Sequence, residues 1–360
     1  MADKRPKHKT SYDIADELGI PALTPSQFIK HVRHCVKVGK PVFVQSRPGI
    51  GKTTMVHDLM EQIGYVLHVE RFNGKDPTDM AFPYVFKDEA TGVMHHAFTT
   101  PTWFKSSKDT LPEGYRGVCI FGDEFAQAVP SMQNKMGEIM DGSLSNLPTY
   151  PNTIVILAAN FAQDKAATYP VPRQIANRAS CVVLAPDLDD TQRYISTHNI
   201  RPEIGAFVKL FPDSLDSYEA DSTINFTPRS VCSLSPLMDQ NPAIDEELPL
   251  YSSIIGRGWG SQFTGFLRIY RDLPKLEHII NNPKREAIPD EDQTDVLCAL
   301  SAMLGRAMSV KNAAPIVEYL VRLPAEFCVF ALRDAVRRDA ELKKVRALTQ
   351  WCVQHGDVLS

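Results

Sequence analysis

Ten consecutive residues, Gln45-Ser46-Arg47-Pro48-Gly49-Ile50-Gly51-Lys52-Thr53-Thr54, constrain this chain more tightly than any other stretch. Just before them, Pro41-Val42-Phe43-Val44 reads as a short buried strand. Just after them, Met55, Val56, Leu59, Met60 and Ile63 recur at helical spacing, and Gly64 supplies a stop. Strand, glycine-rich turn and helix form the context that a phosphate-binding loop requires. Gly49 and Gly51 let the backbone curl so that successive N–H groups point inward at phosphate oxygens. The new helix adds the positive end of its dipole. Lys52 can then sit on the β- and γ-phosphates, and the Thr53 hydroxyl can ligate magnesium. The pattern asks for glycine at its first position, where this chain has Ser46. Serine is small, and Gly49 and Gly51 still shape the turn. A coincidental helix N-terminus is the bland alternative, and the strand in front and helix behind disfavour it. Arg47, Pro48, Gly49, Ile50, Gly51, Lys52, Thr53 and Thr54 are the candidate nucleotide-binding set.

Further strands supply candidate chemistry. Tyr65–Phe72 alternates well enough to be a second strand. Gly117–Gly122 is an apolar run ending in two carboxylates, Asp123 and Glu124. In a parallel sheet the functional end of a strand is its C-terminal end, beside the phosphate loop. Asp123 there can hold magnesium through water, and Glu124 can orient and deprotonate an attacking water. Thr153–Ala159 is a fully apolar strand ending in Asn160. That amide can hydrogen-bond a γ-phosphate and a lytic water without adding charge, or simply form a turn. Val171–Ala179 reads as a short helix carrying Arg173 and Arg178, and Ser180–Pro186 as a fifth strand. Five strands with helices between them predict an α/β fold, a parallel sheet covered on both faces.

The expected organisation follows from where strand patterns stop. Residues 1–19 read as a disordered basic arm and residues 20–186 as the nucleotide-binding core. An inserted hairpin is expected at about 81–98, with Phe82, Tyr84 and Phe86 either packed on the domain, the default, or offered to a partner. His95 and His96 point to opposite faces of a strand and make a poor metal pair. Beyond Pro186-Asp187 the apolar residues fall mostly at helical spacing. Residues 187–273 read as a helical lid, 274–294 as a polar linker and 295–360 as a helical C-terminal region. The last carries a basic cluster, Arg333, Arg337, Arg338, Lys343, Lys344 and Arg346, read first as a solvated face.

The balance of the chain excludes several classes. A net charge of −4 over 360 residues gives no global pull toward nucleic acid. No run approaches the 18 or so apolar residues that a membrane span needs, so no membrane insertion is expected. The polar, basic start lacks the apolar core of a secretory signal. Seven scattered cysteines with no CxxC pair read as reduced residues of a cytoplasmic protein.

With these residues in place, the chain resembles an AAA+ ATPase, and within that class the MoxR-like group. Four elements carry the resemblance in the expected order: Ser46–Thr53, Cys119–Glu124, Ile154–Asn160, and Thr227-Pro228-Arg229-Ser230. The hairpin at about 81–98 looks like that group's helix-2 insert. The resemblance covers about residues 20–270. It implies a P-loop NTPase αβα core, a five-stranded sheet in the order 5-1-4-3-2, and an all-α lid. It implies ATP and Mg2+ as cofactors, with Thr53 and Asp123 at the metal. Lys52 matches the nucleotide-loop lysine, Glu124 the catalytic glutamate, Asn160 sensor 1 and Arg229 sensor 2. Arg178 matches the arginine finger given to a neighbouring subunit, with Arg173 the runner-up. The assembly implied is a homo-oligomeric ring, usually hexameric. Ser46 and Gly122 depart from the family pattern, and neither change removes a charged catalytic group.

The load is less constrained than the motor. A chaperone-like remodeller of a protein client fits the near-neutral charge and the aromatic hairpin. By analogy with the group, that client is a von Willebrand factor A domain protein. The alternative is a nucleic-acid-dependent motor or loader, supported only by the basic arm and the C-terminal basic cluster.

Overall fold

The computed structural model describes residues 9–72, 74–164 and 169–354. The chain divides into two compact units, Met1–Ala185 and Pro186–Ser360.

The first unit is built on a parallel sheet. Its strands are β1 (Ala22–Leu23), β2 (Val42–Ser46), β3 (Tyr65–Arg71), β6 (Gly117–Asp123), β9 (Thr153–Asn160) and β10 (Ser180–Leu184). Two small hairpins lie between them in sequence: β4 (Pro83–Lys87) with β5 (Met94–Phe98), and β7 (Ser143–Leu144) with β8 (Leu147–Pro148). The sheet order is β1-β10-β2-β9-β6-β3. Numbered over the five expected strands, this is 5-1-4-3-2. The correction is a sixth strand: Ala22 and Leu23 add to the outer edge of β10, opposite Val183 and Leu184. Two residues are too few to show alternation, so sequence pattern cannot find this strand.

Helices cover both faces. They are α1 (Ser11–Leu18), α2 (Pro25–Lys37), α3 (Lys52–Gln62), α4 (Pro130–Met140) and α5 (Arg173–Arg178). Within β2, Val42 and Val44 face one apolar cluster with Phe28, Val32, Val56 and Leu59 of α2 and α3. Phe43 faces the other, with Met132, Met136 and Ile139 of α4. An unbroken apolar run is therefore what each central strand needs, because neither face meets water.

Gly122, at the end of the β6 apolar run, has a steric reason. A Cβ there would lie 2.8 Å from Leu157 Cδ2 and 2.9 Å from a ring carbon of Phe72. Gly122→Ala is expected to cost about 1–3 kcal/mol by overpacking. Urea unfolding would measure it, and a cost below about 0.5 kcal/mol would mean that Phe72 gives way freely.

The expected arm over residues 1–19 is corrected in its second half. Residues 1–8 lie outside the described residues, but α1 is a helix with both ends capped. Asp13 N donates to Thr10 Oγ1 at 3.1 Å, Thr10 N donates to Asp13 Oδ2 at 2.7 Å, and Gly19 closes the helix at φ 66°. Ile14 and Ala15 are buried against Phe161 and Val183. The basic residues that suggested a tail precede the helix; the capping pair and the two apolar residues decide its structure.

The β4–β5 hairpin is present, with Pro83 opposite Phe98 and Lys87 opposite Met94. Asp88 Oδ1 holds its turn, accepting from Ala90 N at 2.8 Å and Thr91 N at 3.0 Å. The expectation that its aromatics pack on the domain is overturned. Phe82, Tyr84 and Phe86 are exposed by 55%, 44% and 44%. A two-stranded sheet has no second layer of its own to cover them.

The second unit is helical throughout its described elements. One apolar cluster gathers Phe207, Phe226, Tyr251 and Phe263. Another gathers Leu300, Leu304, Leu320 and Leu332. The helix Thr294–Ala307 serves both, turning Ala299 and Ala302 to the first and Leu297, Leu300 and Leu304 to the second. Residues 274–294 are not a plain linker, because they include the helix Leu276–Asn281 with Ile279 fully buried. Prolines and charges around that helix mask its short apolar side.

Candidate functional site

Three strands of the first unit end at one place. Ser46, the last residue of β2, lies opposite Asn160, the last of β9. Asp123 ends β6 opposite Arg71 of β3. The loop after β2 turns through Gly49 at φ 79° and Gly51 at φ 93°, backbone that favours glycine. Gly51 is the N-cap of α3, and no side chain caps that helix, so its first-turn N–H groups stand at the loop. Ile50 is buried in the core and anchors the loop, while Thr54 is exposed on α3.

The register explains where Lys52 goes. Its buried ammonium donates to Ser46 Oγ at 2.8 Å and to Asn160 Oδ1 at 3.1 Å, with Arg47 O at 3.5 Å. Ser46 Oγ in turn donates to Arg47 O at 2.7 Å. The serine standing where the phosphate-loop pattern asks for glycine is therefore a ligand of the loop lysine. Sequence reasoning treated it as a tolerated departure; the signal was a hydroxyl at the last strand position before the loop.

Thr53 and Asp123 also meet, with Thr53 Oγ1 donating to Asp123 Oδ2 at 2.9 Å. A hydroxyl and a carboxylate converging beside a phosphate-type loop are a hard-oxygen donor set, and they fit magnesium. Glu124 follows at φ 54° and ψ 34°, a left-handed conformation unusual for a residue other than glycine. Its N–H donates to Asp123 Oδ1 at 3.0 Å, which ties the two acids together through the backbone.

Arg47 differs from its expected use. Its buried guanidinium is ion-paired with Asp164, donates to Lys9 O at 2.7 Å, and lies 5.4 Å from the Phe161 ring centroid. The side chain braces the loop against its neighbours, leaving Arg47 only its backbone to offer a ligand, while Pro48 has no N–H to donate. A second buried charge cluster, unread in the sequence, sits one strand away. Burial alone would push the Glu70 carboxyl up, but hydrogen bonds from His68 at 2.8 Å and from Lys75 outweigh it. They hold the group below the usual carboxylate range. His68 also stacks on Trp103, with ring centroids 4.3 Å apart. The His-x-Glu spacing, which places both side chains on one face of a strand, was the available signal.

Of the candidate arginines, Arg173 and Arg178 lie on the first unit outside this cluster. Arg178 ends α5, where its Nε donates to Asp141 Oδ1 at 2.7 Å. It precedes Ser180, which pairs with Val42 at the start of β2. Arg178 thus lies at the end of the sheet away from its own phosphate loop. Arg173 is exposed on the first turn of α5. Arg229 is exposed in the second unit, on the short helix Pro228–Cys232, whose N-terminus Thr227 and Ser230 cap reciprocally.

No protein-family model and no curated protein sequence matches the chain. Among solved structures, it is similar to a protein from Cytophaga hutchinsonii named as a candidate ATPase. Identity is 12%, over 90% of this chain and 84% of that one, with a TM-score of 0.35. It is also similar to the Thermotoga maritima RuvB Holliday junction branch migration motor. Identity there is 14%, over 83% of this chain and 86% of that one, with a TM-score of 0.36. Likenesses this distant decide nothing. The assignment of the first unit to a phosphate-loop αβα core rests on its own strand order, register and loop.

Proposed function

We propose that this chain is a magnesium-dependent ATP hydrolase of the AAA+ class, MoxR-like in type, acting from the cytoplasm as a homo-oligomeric ring. The observation that carries the reading is the convergence of Lys52, the Thr53–Asp123 pair, Glu124 and Asn160 at the carboxyl end of the sheet. Each group has a task there. Lys52, held by Ser46 and Asn160, is pre-set to exchange those neutral partners for β- and γ-phosphate oxygens. Thr53 and Asp123 would hold magnesium, directly or through water, and the ion would supply charge neutralisation on the phosphates. Glu124 takes the proton of the attacking water, and Asn160 helps to place that water. Arg178 serves a neighbouring subunit's site, with Arg173 the runner-up. Arg229 reports nucleotide state from the lid.

The client in this reading is a protein, of the von Willebrand factor A domain kind that the resemblance implies. The exposed Phe82, Tyr84 and Phe86 of the hairpin support a protein contact. The nucleic-acid alternative loses ground, since members of the C-terminal basic cluster are used within the chain, among them Arg337, 3.5 Å from Asp189 Oδ1. Arg338 donates to Met308 O, and Lys344 pairs with Glu341 at 2.7 Å.

Lys52→Ala tests the nucleotide reading. Binding of a fluorescent ATP analogue is expected to weaken at least tenfold, about 1.4 kcal/mol or more, with hydrolysis lost. Unchanged affinity in a folded variant would sink it.

A further inference from the structure

Strand β2 ends on Ser46, whose side chain is fully buried. A buried hydroxyl needs partners, and this one has two in opposite roles. Its O–H donates to Arg47 O at 2.7 Å, so its lone pairs are left to accept. They accept from Lys52 Nζ at 2.8 Å. From the neighbouring strand, Asn160 Oδ1 accepts from the same ammonium at 3.1 Å. Lys52 therefore stands between two neutral acceptors, one at the end of β2 and one at the end of β9.

The two acceptors are not equivalent. The Ser46 bond is the shorter, and the hydroxyl is polarised by the bond it gives to Arg47 O. Arg47 is itself fixed, with its guanidinium paired to Asp164 and donating to Lys9 O. Were Lys52 to leave Ser46, an acceptor cut off from solvent would go unmet. Asn160 is only partly buried, so its amide can release the ammonium and meet water instead. Its Oδ1, which now holds Lys52, is also the atom that would accept from an attacking water. One oxygen is thus wanted for two tasks, and Ser46 can take over one of them.

We propose that Ser46 is a positioning residue for hydrolysis: it keeps Lys52 in place when Asn160 lets go, and so frees that amide to place the attacking water. Lys52 then exchanges its neutral partners in steps, Asn160 first. With glycine at position 46, as the phosphate-loop pattern asks, the lysine would lean on Asn160 throughout. The catalytic step rests on the nucleotide reading above; the hold of Ser46 on Lys52 does not.

The test has two readouts on the full chain. The first uses no nucleotide: lysine amines are acetylated with an N-hydroxysuccinimide ester and followed site by site by mass spectrometry, with the exposed Lys343 as internal reference. In Ser46→Ala, which removes only the hydroxyl, Lys52 is expected to react about threefold faster or more than in wild type. The second readout is turnover against affinity. Ser46→Ala should lower kcat about tenfold through misplacement of the reacting groups. Its affinity for a fluorescent ATP analogue should stay within about threefold of wild type. Ser46→Gly should behave as Ser46→Ala does. Added to Asn160→Ala, Ser46→Ala should lower kcat by no more than about a further threefold, because it acts through that amide. The proposal is overturned if Lys52 reactivity or kcat is unchanged, if kcat and affinity fall together, or if the Ser46 and Asn160 losses multiply. It is also overturned if Ser46→Gly keeps the turnover that Ser46→Ala loses, since space and not the hydroxyl would then decide. A wild type that binds no ATP analogue overturns the nucleotide reading and the catalytic step with it, while the acetylation result still decides whether Ser46 holds Lys52.

Discussion

Arg178→Ala is expected to lower ATP turnover by about 10³-fold or more while leaving ATP binding and assembly intact. The reason is positional. Arg178 sits just before β10, whose first residue, Ser180, pairs with the first residue of β2. The phosphate loop leaves the far end of β2, about 13 Å away along the strand. The guanidinium is therefore at the wrong end of its own sheet to touch its own γ-phosphate, and its use requires a neighbour. Its ion pair with Asp141 is surface-exposed, 37% and 51% for the two side chains, so losing it should hardly affect stability. Mixing inactive Arg178→Ala with inactive Glu124→Gln should restore part of the activity. Some interfaces would then join an intact Glu124 to an intact Arg178. A mixture that stays inactive, or an Arg178→Ala chain with normal turnover, would rule out a shared site using this residue. The same assay on Arg173→Ala would test the runner-up.

Glu124→Gln should bind ATP as tightly as wild type but lose about 10²–10⁴ in turnover, the usual worth of a positioned general base. Glutamine keeps the shape of the side chain and the N–H that donates to Asp123 Oδ1, so the Thr53–Asp123 pair should persist. Affinity and turnover thus separate: Lys52→Ala removes binding, whereas Glu124→Gln removes chemistry. Turnover within about threefold of wild type would mean that another group activates the water.

Much of this site is legible in residue order alone, because its chemistry sits on short segments with strong local signals. The glycines before Lys52 and the apolar runs ending in Asp123 and Asn160 each carry their own geometry. What residue order hides is contact between segments. That Ser46 holds Lys52 follows from the pairing of β2 with β9. That Arg47 faces Asp164 rather than a ligand depends on a residue 117 positions later. Charge also misled where capping decides, as at α1, and default packing misled where a hairpin has no second layer, as at Phe82 and Tyr84. The β7–β8 hairpin was missed although Ser145 and Asn146, both at positive φ, form a turn between two leucines.

The backbone of Glu124 has a consequence for how this chain tolerates change. A non-glycine residue held in the left-handed region costs on the order of 1–3 kcal/mol, and glycine would sit there without that penalty. A variant with glycine at 124 should thus melt higher than the parent while being catalytically dead. Screens that rank variants by thermal tolerance would favour it, and would select against the carboxylate proposed as the general base. With Glu124 as the proposed base, robustness and activity pull in opposite directions at this position, and a gain in melting temperature there is a warning of lost function.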